Sequence, residues 1–394
     1  MKKKKKVWVF TLWPRHNPCN SLRFNSPLSF FPEDFEFIFA HSFKALASLG
    51  VVPDAVVFHR ILYPFTEACK IVSFCRSHGV LTGMEVDDYI TGLPSQHPSY
   101  AGYNALRARI EEFMRSLDFM TVTTERLKNF LLPCNKNIYV MPNLVDLRIW
   151  DIKVRQDGHP GVTVIGYAGS EPHGYDFRPV IPAIRHIAEK YSGSVAFKFI
   201  GYFPSALKGV QGIFHAPSIE HYSRYARFVK ESAFDIALAP LEDNTYSQGK
   251  SNIKFLEYSM CSSAGIYSRV GAYADTVSHE QNGILTGNSS QEWIDAMDRL
   301  IKDRGLRNRL AAAAYAHVSR EYSLQARYSE WVQGYRSIMA SSVKPKDTAF
   351  SFAPAALFGQ YLAYAQFRDL YYFLLRQALS LMRFLKRKDR YSRV

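Results

Sequence analysis

The chain of 394 residues has no apolar run that approaches the roughly 18 residues a membrane-spanning helix needs, so no transmembrane segment is expected. Cysteine is scarce: Cys19, Cys69, Cys75, Cys134 and Cys261 are scattered, odd in number and without a CxxC pair. That excludes the disulfide framework of a small secreted domain and a cysteine-built zinc site, and it fits free thiols in a reducing compartment. Internal repeats are lacking, and the only low-complexity stretch is Lys2 to Lys6. No cleavable leader is expected either. The lysine run and Val7 to Trp13 imitate one, but the apolar part is short and meets Pro14-Arg15 with no small-residue cleavage site. A first β-strand and a cytoplasmic location are expected instead.

Acidic residues are the minority, 35 Asp and Glu against 49 Lys and Arg, for a net charge of +14. Where the excess sits decides what it means. Five lysines lie in residues 1–6 and a net +6 in residues 376–394, which leaves only +3 for the 369 residues between. A nucleic-acid binder would spread its cations along a groove with aromatic platforms, so that class is disfavoured and no nucleic-acid partner is expected. Basic ends beside apolar helix suit an anionic membrane surface, at about 1 kcal/mol per basic residue. Two solvated tails are the plainer alternative. The composition, 47% hydrophobic and 21% charged, is that of a soluble globular chain. Its length calls for two cores.

Apolar runs bounded by turn residues predict strands at Val7 to Leu12, Ala55 to Phe58, Val80 to Glu85, Phe119 to Val122 and Asn137 to Met141. Phe35 to Leu49 and Phe65 to Ser77 have helical patterns. A polar linker, Trp150 to Pro160, leads to a second series. Its strands are Val162 to Ser170, Val195 to Ile200 and Phe234 to Pro240, with a helix from Arg178 to Tyr191. Ser289 with Glu292 forms a capping box at the start of a later helix. Alternation at this spacing predicts an α/β chain of doubly wound sheets, whose ligands bind at the carboxyl ends of the strands. The domains drawn from it are 1–155, 156–335 and a helical basic tail, 336–394. That tail carries Leu357, Tyr361, Tyr364, Leu370, Phe373, Leu374, Leu381, Phe384 and Leu385. It suits an interfacial helix, or a helix packed on the N-terminal domain.

The chemistry is concentrated in Gly249-Lys250-Ser251-Asn252-Ile253-Lys254-Phe255-Leu256-Glu257-Tyr258. A polar loop opens a short helix, and Lys250, Lys254 and Glu257 fall at i, i+4 and i+7, on one face. Two cations at a helix start suit a diphosphate, because the free N–H groups there favour anions. A carboxylate one turn deeper can accept both hydroxyls of a ribose. An amphipathic helix with a Lys254–Glu257 pair is the alternative.

The ordered set Ile165-Gly166-Tyr167-Ala168-Gly169-Ser170, Phe199-Ile200-Gly201, Ile236 to Leu241, Lys250-Ser251 with Lys254 and Glu257, and Asn282-Gly283-Ile284-Leu285 resembles the GT-B glycosyltransferases, in particular the retaining family 4. The likeness covers roughly 175 residues of the C-terminal half strongly. It continues more weakly through Glu85-Val86-Asp87-Asp88, Val122 to Leu127 and Val140-Met141-Pro142-Asn143. The resemblance implies a GT-B fold, two Rossmann-like domains facing a cleft. It implies a hexosyl-type transferase moving sugar from a nucleotide donor to a glycan or lipid-linked glycan, with retention, in surface polysaccharide assembly on the inner face of the membrane. Donor contacts are expected at Gly169, Ser170, Lys250, Ser251, Lys254 and Glu257. Asp87 and Asp88 would position the acceptor, and His173, in the donor-facing turn, would serve a phosphate or the acceptor. No cofactor and no metal are expected; a lone Asp-Asp pair with no third ligand is weak evidence for one. His97 is a lesser candidate, expected on a surface loop. Two departures stand out. The first of the family's two glutamates is Gly249 here, and the usual basic pair after the Gly169 turn is absent, leaving His173, Lys250 and Lys254 to neutralise charge. These departures keep a non-catalytic GT-B-like scaffold at the membrane as the competing reading.

Overall fold

Six runs in the first half of the chain lie side by side, all parallel, in a computed structural model that describes residues 4–340 except 12, 15, 32, 41, 43, 45–49, 61–64 and 153–160, with backbone alone at residues 66 and 171–173. They are β1 (Lys5–Phe10), β2 (Phe35–Ala40), β3 (Ala55–His59), β4 (Leu81–Val86), β5 (Phe119–Val122) and β6 (Ile138–Val140). Their order in the sheet is β2-β1-β3-β4-β5-β6. Central parallel strands are covered on both faces, which is why β1 and β3 read as unbroken apolar runs rather than alternating ones. Val7, Trp8, Val9 and Phe10 are all buried, as are Ala55, Val56, Val57 and Phe58. Helices α1 (Phe65–Ser77), α2 (Tyr100–Ser116) and α3 (Glu125–Leu131) connect the later strands.

A second sheet follows, also six-stranded and parallel: β7 (Thr163–Gly169), β8 (Val195–Gly201), β9 (Ile213–Ala216), β10 (Ile236–Ala239), β11 (Ala264–Ser268) and β12 (Ile284–Thr286). Its order, β12-β11-β10-β7-β8-β9, is that of a dinucleotide-binding sheet. One face buries Ile165, Ile236 and Ile266 under α4 (Val180–Lys190) and α7 (Ser290–Lys302). The other packs Ala168, Ala237 and Tyr267 against α5 (Tyr222–Glu231), α6 (Ile253–Met260) and α8 (Arg304–Glu321). The predicted capping box opens α7: the Glu292 amide donates to Ser289 Oγ at 3.3 Å, and the Ser289 amide to the Glu292 carboxylate at 3.2 Å.

The chain then returns to the first domain. Val145 on the outward crossing pairs in parallel with Ser323 on the way back. Helix α9 (Leu324–Ala340) buries Leu324, Trp331, Tyr335 and Ile338 among Val7, Val9, Phe24 and Val57. A boundary at 335 therefore cuts through a helix that belongs to the first core. The helix read over Phe35 to Leu49 is likewise corrected at its start. Phe35–Ala40 is the strand β2, in register with β1 from Lys5↔Phe35 to Phe10↔Ala40. The basic tail, apart from its first residues 336–340 in α9, and most of the 150–160 linker lie outside the described residues. Among the described residues, no helix is long and apolar enough to cross a membrane.

Candidate functional site

Each sheet has a topological switch point, where neighbouring strands send their connections to opposite faces and leave a crevice at their carboxyl ends. In the first sheet it lies between β1 and β3, in the second between β7 and β10. The two crevices supply the residues described next.

Arg60 leaves β3 at the first switch point with φ of 57°, a left-handed conformation that costs a non-glycine residue free energy. Its amide is fixed by the Glu85 carbonyl at 2.8 Å. The guanidinium grips both predicted aspartates at the end of β4. Nε and Nη2 bond the Asp87 carboxylate, the latter at 2.8 Å, and Nη2 reaches Asp88 at 3.0 Å. Burial alone would raise the Asp87 carboxyl. The Arg60 charge and hydrogen bonds outweigh it and hold that carboxyl well below its usual range. Burial, with Asp87 nearby, pushes the Cys19 thiol up to about 12, so it stays protonated. From the second domain, Lys250 Nζ comes within 3.7 Å of Asp88. The result is a chain of alternating charge, Arg60, Asp87 with Asp88, then Lys250, running from one domain to the other.

Lys250 is 8% exposed and reaches this place from a turn, not from a helix. Helix α6 begins at Ile253, so Lys250 does not share a helical face with Lys254 and Glu257. Its ammonium lies 4.3 Å above the Tyr246 ring and donates to the Tyr246 hydroxyl at 3.3 Å. Ser251 Oγ accepts from Asn143 Nδ2 at 2.9 Å. Behind Asn143 stands Arg23, whose Nη1 donates to Asn143 Oδ1 at 2.7 Å while Nε pairs with Glu85 at 2.7 Å. Arg23 and Glu85 are each 1% exposed. A buried ion pair in the first domain thus ends on the Ser251 loop of the second.

Lys254 and Glu257 do share a face, and they pair at 2.7 Å. The Tyr225 hydroxyl donates to Glu257 at 3.0 Å and accepts from Lys254 at 2.9 Å. Burial and the neighbouring Glu257 charge keep Tyr225 a phenol. Glu257 is 2% exposed, so the expected ribose ligand lies in the packed floor of the domain rather than on a solvated face.

At the second switch point β7 ends in Gly169, with Ser170 exposed after it. Gly201, beside it on β8, has φ of +89°, and a Cβ there would stand 2.2 Å from the Gly169 carbonyl oxygen, so only glycine fits. The 3-10 segment Glu171–Phe177 follows, and its buried Asp176 accepts from the Glu242 amide at 2.8 Å, tying the exit of β7 to that of β10. His173 lies in this segment; its side chain is outside the described ones. His97 is not on the surface: it is buried, its ring edge-on to Tyr246 at 5.5 Å and 6.2 Å from Tyr175.

Of the residues predicted from the sequence, the structure brings Asp87, Asp88 and Lys250 together, and it adds Arg60, Arg23, Tyr225 and Asp176 as their neighbours or as supports of the same loops, which the pattern did not single out. Arg60 directly follows a strand end, and that was the available signal; its importance rests on strand order, which the pattern does not carry.

Residues 182–333 match the model of a family described as glycosyl transferase-like. The same domain holds Lys250, Lys254 and Glu257. The chain has the GT-B fold, and its second domain carries the glycosyl transferase-like match. The likeness in fold extends over both domains. Sucrose-phosphate synthase from Thermosynechococcus elongatus superposes with a TM-score of 0.61 at 13% identity, over 86% of this chain and 100% of that one. HepE from Anabaena, in complex with UDP-glucose, gives 0.60 at 11% over 85% and 100%. A glycosyltransferase from Rickettsia africae gives 0.58 at 12% over 87% and 100%. At such identities the likeness establishes the fold alone. Among curated proteins none matches the chain by sequence.

Proposed function

We propose that this protein is a glycosyltransferase that takes a sugar from a nucleoside diphosphate donor and passes it, with retention, to a glycan or lipid-linked glycan acceptor in surface polysaccharide assembly. The observation that carries the reading is the charge chain from Arg60 through Asp87 and Asp88 to Lys250, running between the two switch points.

A departing diphosphate gathers negative charge in the transition state, and preorganised cations and N–H groups stabilise that charge without reorganising. Lys250 is the cation placed for it. At 3.7 Å its pairing with Asp88 is loose, so a phosphate can replace the carboxylate. Backbone N–H groups after Gly169 and the Lys254–Glu257 pair complete the donor side, with Glu257 toward the ribose and His173 beside the phosphates. Asp88, once released, orients the acceptor hydroxyl. Asp87 is a poor general base, because a carboxylate held far below its usual pKa has little affinity for a proton. That favours proton transfer to the leaving phosphate on the departing face, which is the route to retention. The scheme needs no metal. The basic ends of the chain support a seat on the inner face of a membrane, next to a lipid-linked acceptor.

The test is thermal stability of the purified chain with UDP, GDP, ADP, CMP and dTDP, UDP first because HepE, of the same fold, was seen with UDP-glucose. A nucleotide at about 100 times its Kd adds about 2.7 kcal/mol. One nucleotide should raise the melting temperature, and Lys250→Ala and Glu257→Ala should abolish the rise. No shift with any of the five at millimolar concentration would overturn the donor site.

A further inference from the structure

Beside the charge chain lies a cavity of about 310 Å³, lined among others by Tyr89, Tyr100, Tyr103, Asn104, Arg107 and Thr245. Two of these are chain neighbours of the charge cluster. Tyr89 follows Asp88, and Thr245 opens the short helix Thr245–Gln248 that contains Tyr246 and delivers the chain to Lys250. The other four belong to the first two turns of α2. The cavity is therefore a half-open feature of the first domain, bordered by one residue of the second. We propose that it is the subsite for one neutral pyranose ring of the acceptor, an assignment that rests on the transferase reading above.

Size, wall and charge each point to that class of ligand. A volume near 310 Å³ is at the lower end of small-molecule sites, about 300–1,000 Å³, and suits one ring rather than a chain. The wall is preformed. The Tyr89 ring stacks on Phe130 with centroids 5.0 Å apart, and a Cβ at Gly92 would fall 2.2 Å from it, so the ring is held in place. Aromatic walls suit the C–H faces of a sugar, while the Asn104 amide and tyrosine hydroxyls both donate and accept, as vicinal hydroxyls require. Arg107 Nε is engaged by Glu111 at 2.9 Å, so the one cation of the lining is already partnered by a carboxylate. That disfavours an anionic ligand, including a second nucleotide, and favours one that is uncharged and rich in hydroxyls.

The test is saturation-transfer NMR on the full chain with the methyl pyranosides of glucose, galactose, mannose and N-acetylglucosamine. Tyr103→Ala and Asn104→Ala alter half-buried and exposed positions and should leave the fold intact, which the nucleotide-induced thermal shift verifies in the same samples. At least one glycoside should receive saturation from the wild type. Tyr103→Ala and Asn104→Ala should each weaken its binding about fivefold to tenfold, the size of one lost stacking or hydrogen-bonding contact. Lys250→Ala should leave it unchanged. A signal that survives Tyr103→Ala and Asn104→Ala but vanishes in Lys250→Ala places the sugar in the donor site and overturns the proposal. Loss in all three, or no signal from any glycoside at millimolar concentration, also overturns it. The nucleotide shift fails separately: sugar binding that depends on Tyr103 with no nucleotide bound would remove the donor reading and leave the cavity a sugar site.

Discussion

Asn143 is the residue through which the buried core of one domain touches the binding loop of the other. Its carbonyl accepts from Arg23 and its amide donates to Ser251, so each end of one side chain is bonded to a different domain. Asn143→Ala should cost about 1–3 kcal/mol by leaving the Arg23 fork short of an acceptor. If the same side chain holds Ser251, then Asn143→Ala and Ser251→Ala must be non-additive, with a coupling of about 0.5–3 kcal/mol in a double-mutant cycle of urea unfolding. Strict additivity would show that the Ser251 loop is held by something else. His59 makes a second residue-scale prediction. Its Nδ1 lies 2.7 Å from Asn20 Oδ1, which also accepts from Thr11 Oγ1, so the proton sits on Nδ1. A second proton would sit on Nε2, which is buried and has no hydrogen-bond partner among the described residues. Burial accordingly lowers the imidazole pKa to about 3, against 6.5 for a free side chain. The unfolded chain therefore takes up a proton below pH 6.5 that the native one refuses until about pH 3. Stability should fall on acidification through that window, by up to about 1.4 kcal/mol per pH unit from this group alone. His59→Gln should flatten the fall between pH 6 and about pH 4; an unchanged slope would show that the imidazole is charged when folded.

What an element owes to its own residues was legible, and what it owes to a distant partner was not. The capping box at Ser289 is a contract between residues three apart, and both of its hydrogen bonds are present. The helix over Phe65–Ser77 and the buried strands β1, β3 and β10 carry their pattern within themselves. Phe35–Ala40 does so only in part. Phe35, Phe37 and Phe39 alternate with the period of a strand, but the apolar residues that continue to Leu49 fit a helical pattern, and the parallel ladder comes from β1, about thirty residues earlier. The same limit explains Lys250. Spacing joined it to Lys254 and Glu257, but that helix starts only at Ile253, and Lys250 lies before it, in the link that follows the short helix Thr245–Gln248. Lys254 and Glu257 were placed together correctly because i and i+3 are neighbours on any helix. Arg60 stayed hidden for the most distant reason of all. It matters because β3 lies next to β1 and β4, and no local pattern encodes that order.

At the scale of the whole molecule, the two domains are not consecutive beads. The strand-like crossings at Val145 and Ser323 lie against each other, with Val145 donating to the Tyr322 carbonyl and Leu324 to the Val145 carbonyl, both at 2.8 Å. Everything after them in the described chain serves the first core. Trp331 is the pivot: fully buried, its Nε1 donates to the Pro142 carbonyl at 3.2 Å and its ring lies under the Arg23 guanidinium at 4.9 Å. Trp331→Ala should therefore cost about 3–5 kcal/mol, as large-to-small changes in cores do. Its location in the fold makes a sharper forecast than its size. Hydrogen exchange should quicken in β1 and β3, which share a core with α9, and in the Asn143 segment, while β7, β10 and β11 keep their protection. Faster exchange throughout the second sheet would mean that α9 stabilises both domains equally. Protection unchanged in β1 and β3 would mean that the N-terminal core does not depend on a helix encoded some three hundred residues after its first strand.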